Sequence, residues 1–223
     1  MGTSASNTQT AAPRRMVVLL GGTFDPIHLG HLRLALEIKQ TLGADEMRLI
    51  PCHQPPHRAS PKVGSAERLH MLELAVENCA DLQVDARELR RDGASYTVDT
   101  LRDLRCELGD DVSVVLCMGT DAFEKLSTWK EWSQLIQLAH IFVVARPGYQ
   151  LPTQGPEFEL AQTHHANRVQ LQTESRGGVL VKTLRLLPIS ATDIRQQLAA
   201  NQSIQFLVPD AVAAYISEQQ LYR

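Results

Sequence analysis

Short apolar or β-branched runs recur along the chain, at residues 16–20, 47–51, 82–85, 112–118 and 141–145, and helical spacing separates most of them. Runs that are apolar throughout suit strands buried on both faces, as in a parallel sheet. Between them, Leu32, Ala35, Leu36 and Ile38 mark one helix, Leu69, Leu72, Ala75 and Val76 a second, and Val98, Leu101 and Leu104 a third. Strand and helix alternate, which predicts an α/β fold with helices flanking a parallel sheet. From 151 to 183 the periodicity gives way to Pro, Gln, Gly and His, and the stretch reads as a surface excursion. A last strand is expected at 184–187, with closing helices at 190–199 and 209–219.

Composition narrows the function classes. A chain of 223 residues, 43% of them hydrophobic, has room for one α/β domain with a full core, expected from residue 16 to 223. Residues 1–15, small and polar with Arg14 and Arg15 at the end, read as a flexible tail. A net charge of −3 offers no footprint for nucleic acid, and no run approaches the ~20 apolar residues of a membrane span. Cys52, Cys79, Cys106 and Cys117 form no C-x-x-C pair, which suits a reducing, cytoplasmic setting.

The candidate chemistry follows the first strand, in Gly21-Gly22-Thr23-Phe24-Asp25-Pro26-Ile27-His28-Leu29-Gly30-His31. In a parallel sheet, ligands sit at the carboxyl ends of the strands. Gly21 and Gly22 let backbone amides approach a phosphate with no Cβ in the way, and Gly30 allows the same beside the helix start. His28 and His31, three residues apart, share a face of a first helical turn, where the positive end of the helix dipole assists anion binding. A tight turn begun by Asp25-Pro26 is the plain alternative. H-x-x-H lacks the i,i+4 spacing and third ligand of a zinc site, so no metal site is assigned, and the G-x-G-x-x-G dinucleotide fingerprint is absent.

Residues 22–31, GTFDPIHLGH, resemble the H-x-G-H motif of the nucleotidyltransferase superfamily, in the G-G-T-F-D-P form typical of the bacterial nicotinate-nucleotide adenylyltransferase family. The resemblance implies a Rossmann-like parallel sheet. It implies that His28 and His31 contact the ATP phosphates, while the backbone of Gly21, Gly22, Thr23 and Phe24, with Gly30, cradles the nucleotide. A second segment, Ile189-Ser190-Ala191-Thr192-Asp193-Ile194-Arg195, is similar to the superfamily's I-S-S-T-x-I-R, with Ala191 in place of the second Ser. By the same likeness Ile189, Ser190 and Thr192 bind ATP, and Arg195 joins the two histidines at the phosphates. Read by itself, Ser190 followed by Asp193 is a helix capping box.

Further likenesses concern the acceptor. Residues 51–58, PCHQPPHR, are similar to a family loop beside the substrate. Ser95-Tyr96-Thr97 resembles the segment whose amides hold the nicotinate carboxylate, and reads equally as a helix start. Gly119-Thr120-Asp121 follows a strand, and the likeness puts Asp121 near a ribose hydroxyl. Trp129 matches the tryptophan that stacks on the pyridine ring, Trp132 reads as packing, and Arg146 in Arg146-Pro147-Gly148 matches the residue near the acceptor phosphate. The implied reaction transfers AMP from ATP, with Mg2+ carried by the nucleotide, to nicotinate mononucleotide. The products are nicotinate adenine dinucleotide and pyrophosphate, a step of NAD biosynthesis. Transfer to nicotinamide mononucleotide, or nucleotide binding without turnover, are the rival readings. Oligomeric state is not legible.

Overall fold

The computed structural model describes residues 12–54 and 60–223. Among these residues six strands form one sheet: β1 (Met16–Gly22), β2 (Glu46–Pro51), β3 (Gln83–Val84), β4 (Ser113–Gly119), β5 (His140–Ala145) and β6 (Val179–Thr183). Their order is β3-β2-β1-β4-β5-β6 and every pairing is parallel. That order reverses direction between β1 and β4, and such a switch point opens a crevice at the carboxyl ends of the two strands.

Successive side chains along a strand point to opposite faces, and the central strands are apolar on both. Val18, Leu20, Val115, Cys117, Phe142 and Val144 face one helical layer. That layer holds α1 (Leu29–Leu42), α2 (Ser65–Val76), α8 (Ala191–Ala199) and α9 (Asp210–Glu218). Val17, Leu19, Val114, Leu116, Ile141 and Val143 face α3 (Thr97–Leu108), α4 (Thr120–Phe123), α5 (Trp132–Leu138) and α6 (Pro156–Thr163). Each fully buried aliphatic side chain contributes about 1.5–3 kcal/mol to folding. α1 stops at Gly43, whose φ of 68° is open to glycine and strained for other residues. Its N–H closes back on the Lys39 carbonyl.

The stretch from 151 to 183 is not a surface excursion. It contains α6, α7 (Arg168–Thr173) and β6, and it buries Leu160, Leu171 and Val179. Pro156 starts α6, and Asn167 and Gln170 start α7 through a reciprocal capping box. α7 also completes α1, because Arg168 Nε and Gln172 Nε2 donate to the orphan Leu42 carbonyl at 3.2 and 2.9 Å. The last strand lies at Val179–Thr183, and residues 184–187 are irregular. Leu184 packs into the core while Leu187 is exposed, so that apolar run is a covered connection and not a ladder strand.

β5 begins on a buried histidine. His140 Nδ1 accepts the Gly178 N–H at 2.9 Å, and Nε2 donates to the Glu174 carbonyl at 2.9 Å. A Cβ on Gly178 would stand 2.7 Å from Ala166 Cβ and 3.0 Å from His140 Nδ1. Gly178→Ala is therefore expected to cost about 1–3 kcal/mol through overpacking, read as a lower urea midpoint at unchanged slope. An unchanged midpoint would show that the β5–β6 entry can open without loss.

Candidate active site

The segment after β1 turns sharply at Phe24, whose φ of 49° lies in the left-handed region. A Cβ on Gly22 would meet the Phe24 ring at 2.8 Å, so the turn closes tightly only over a glycine. His28 is the N-cap of α1, in an extended conformation, and its ring stacks on that of His31 with centroids 3.6 Å apart. The Phe24 ring meets His31 edge-on at 5.2 Å. The Nδ1 atoms of both histidines are buried without a hydrogen-bond partner. Burial holds His28 down to about 4 and His31 down to about 3, with the neighbouring His28 adding to the second shift.

The distant 189–195 segment meets this turn. A Cβ on Gly30 would lie 2.9 Å from His28 Nδ1 and 3.4 Å from Ile189 Cβ, so the two segments approach across a glycine. Ser190 caps α8, accepting from the Thr192 and Asp193 amides, which is the forward half of the expected capping box. Arg195 donates through Nη1 to the Asp25 carbonyl at 2.6 Å and through Nη2 to Thr192 Oγ1 at 3.2 Å. Arg195 thus stands beside the turn that carries the histidines, at the start of a helix.

Two buried residues organise the turn, Asp25 from the motif itself and Arg68, which no motif marks. Asp25 is buried and gathers the Tyr222 hydroxyl and the Lys62 amide, each at 2.8 Å. Arg68 is 1% exposed, and its guanidinium donates to the Thr23 carbonyl at 2.7 Å and to the His53 carbonyl at 3.0 Å. The loops after β1 and β2 are thereby tied to α2.

On the other side of the same turn a cavity of about 560 Å³ opens at the ends of β1 and β4. Gly21, Gly22 and Thr23 line it, and so do Ser95, Tyr96, Thr97, Asp121 and Trp129. The start of α3 faces the cavity, and its N-cap, Tyr96, makes no side-chain cap. Two cations stand at the rim, Lys125 and Lys130, the second 4.6 Å from the Tyr96 ring centre. Arg146 does not line the cavity; it is exposed just past β5. Trp132 packs on the α3–α5 side of the core. Of the 51–58 loop, Cys52 lines the cavity, while His57 and Arg58 lie outside the described residues.

A glycine turn at a sheet switch point, a histidine pair at a helix start and an arginine from a second helix start together define a nucleotide-binding α/β protein built for phosphates. Comparison with known proteins agrees. The Cytidylyltransferase-like family matches residues 19–197. A Cellvibrio japonicus protein named "Probable nicotinate-nucleotide adenylyltransferase" is 53% identical, over 92% of this chain and 97% of its own length. One of the same name from Hahella chejuensis is 48% identical, over 92% and 95%. The chain belongs to the cytidylyltransferase-like family, on the nicotinate-nucleotide adenylyltransferase branch. The fold is shared with the Plasmodium falciparum nicotinic acid mononucleotide adenylyltransferase complexed with NaAD, at a TM-score of 0.70 and 16% identity over 93% of this chain and 97% of that one.

Proposed function

We infer that this enzyme transfers AMP from ATP to the phosphate of nicotinate mononucleotide, forming nicotinate adenine dinucleotide and pyrophosphate. The observation that carries the reading is the turn at Gly21, Gly22 and Thr23, with the histidine pair on one side and the acceptor-sized cavity on the other. ATP lies over the α1 start, its phosphates met by His28, His31 and Arg195, with Gly30, Ile189, Ser190 and Thr192 shaping the approach. The acceptor's ring enters the cavity, stacks on Trp129 and sets its carboxylate on the amides of Tyr96 and Thr97 beside Ser95, with Asp121 toward the ribose. Arg146, exposed outside the cavity, is assigned to the acceptor's phosphate tail.

Nucleotidyl transfer asks for positioning and charge neutralisation, not a side-chain nucleophile. A phosphate monoester with a second pKa near ~6 is already a dianion at neutral pH. Its oxygen attacks the α-phosphorus, the bond to the bridging oxygen breaks, and pyrophosphate leaves. Donors at His28, His31 and Arg195 meet the charge that builds on the phosphates. The magnesium is assigned to the incoming ATP, whose phosphates carry it. No helix among the described residues is long and apolar enough to cross a membrane. Residues 16–223 are taken to work as one catalytic unit.

The test is pyrophosphate release from ATP and magnesium with nicotinate mononucleotide and nicotinamide mononucleotide in parallel. Release with the acid alone supports the reaction and the acceptor; equal release with the amide removes the carboxylate pocket; silence with both removes the reaction. Trp129→Ala is expected to raise the acceptor KM about 10-fold or more, since stacking on a heterocycle contributes about 1–3 kcal/mol. The ATP KM should stay within about twofold. An unchanged acceptor KM would place the ring elsewhere.

A further inference from the structure

One wall residue of the cavity has no part in the reaction as derived. Glu88 lies in the 3-10 turn after β3, 9% exposed, yet borders the cavity. Thr100 Oγ1 donates to Glu88 Oε1 at 2.7 Å while accepting Arg91 Nη1 at 2.9 Å. The Ser95 oxygen, in the same wall, accepts the His53 N–H at 3.0 Å. Burial pushes the Glu88 carboxyl up, against the pull of Thr100, Ser95 and Arg91. A buried acid is costly to keep unless its bonds serve the site.

Sequence spacing makes the arrangement telling. Ser95 and Thr100 bracket Tyr96 and Thr97, the two residues that line the cavity at the start of α3. The Thr100 hydroxyl sends its hydrogen to the Glu88 carboxyl, away from a ligand. Backbone N–H groups then remain as donors on that wall.

We propose that Glu88 is a positioning residue for the acceptor: by holding the Thr100 hydroxyl it fixes the start of α3 and favours a ring carboxylate over a carboxamide. The proposal rests on the reading that the acceptor's ring enters this cavity. A hydroxyl released from Glu88 is free to turn toward the ligand, and it accepts from a carboxamide as readily as it donates to a carboxylate. Discrimination between the two acceptors then narrows.

The experiment compares wild type, Glu88→Ala, Glu88→Gln and Thr100→Val by pyrophosphate release, with KM measured for ATP and for each of the two mononucleotides. Glu88→Ala is expected to raise the KM for nicotinate mononucleotide about 10-fold, at about 2- to 10-fold per lost hydrogen bond. The ATP KM should stay within about twofold, and the acid-to-amide ratio of kcat/KM should fall. Glu88→Gln keeps an acceptor oxygen and should recover most of the loss. A merely structural role would move both KM values together and would not be rescued by Gln in the acceptor KM alone. If Glu88→Ala does not fold, Thr100→Val decides, with an expected 2- to 10-fold rise in the acceptor KM alone. An acceptor KM that stays at the wild-type value in both variants, or an ATP KM that rises equally, overturns the proposal. Wild-type turnover in the same assay reports on the reaction itself, so an inactive wild type overturns the functional reading, whereas an active wild type with indifferent variants overturns Glu88 alone.

Discussion

Replacing His31 with alanine is expected to leave the protein folded and lower kcat by roughly 100- to 1,000-fold, the scale on which a single preorganised donor to developing charge counts. His31 is held from both sides, by the His28 ring at 3.6 Å and the edge of Phe24 at 5.2 Å, so no other side chain can swing into its place. The two imidazoles are also poor bases in the free enzyme, at about 4 and about 3, because burial disfavours their charged forms. Between pH 5 and 8 neither changes charge, and kcat/KM should show no step near 6.5 that belongs to them. A step there that disappears in His31→Ala would contradict the assignment, as would near-normal turnover of that variant. The same shifts set a stability trend. Unfolded histidines take up protons near ~6.5, while these two resist until well below, so the folded state holds its full advantage above 6.5 and loses it as pH falls toward 4. His140, lowered by burial as well, adds in the same direction. Urea midpoints at pH 8 and pH 5 would read the sum.

Arg68→Met should be the most costly single change to the framework of the site, at about 2–6 kcal/mol. The variant keeps most of the side-chain volume but leaves the Thr23 and His53 carbonyls without their donor, at roughly 1–3 kcal/mol for each buried group left unpaired. Lysine should recover little of it, since a single ammonium on a flexible stem cannot reproduce a fork that spans two loops. Turnover should fall with stability, because the loop that carries Thr23 also borders the histidines. Denaturant titration of Arg68→Met and Arg68→Lys checks the first claim. A midpoint equal to wild type would mean that Arg68 reports the loop geometry without maintaining it.

The strands at the heart of the sheet were legible because each is buried on both faces and so reads as an unbroken apolar run. β1 and the turn after it were legible for a further reason: two glycines, a Phe at positive φ and a histidine at a helix start are local requirements, written locally. The 151–183 stretch was not legible, since α6 and α7 are short, and β6, the edge strand of the sheet, exposes Lys182 and Thr183. Residues 184–187 showed the converse, an apolar run that covers the core without pairing. Arg68 and Glu88 could not be found from the chain at all. Each sits among other charged residues on an ordinary helical turn, and only the tertiary structure turns it inward.

Asp25 and Tyr222 lie 197 residues apart, and the bond between them is 2.8 Å long. At about 5–20 residues per second, a ribosome needs roughly 10–40 s to bring the second partner out after the first. During that interval the phosphate loop exists as sequence without its final fastening, and the nearly finished sheet waits for α9 to arrive. A newborn chain is therefore expected to gain catalytic competence late and abruptly, once Tyr222 has emerged, and not gradually as its strands assemble.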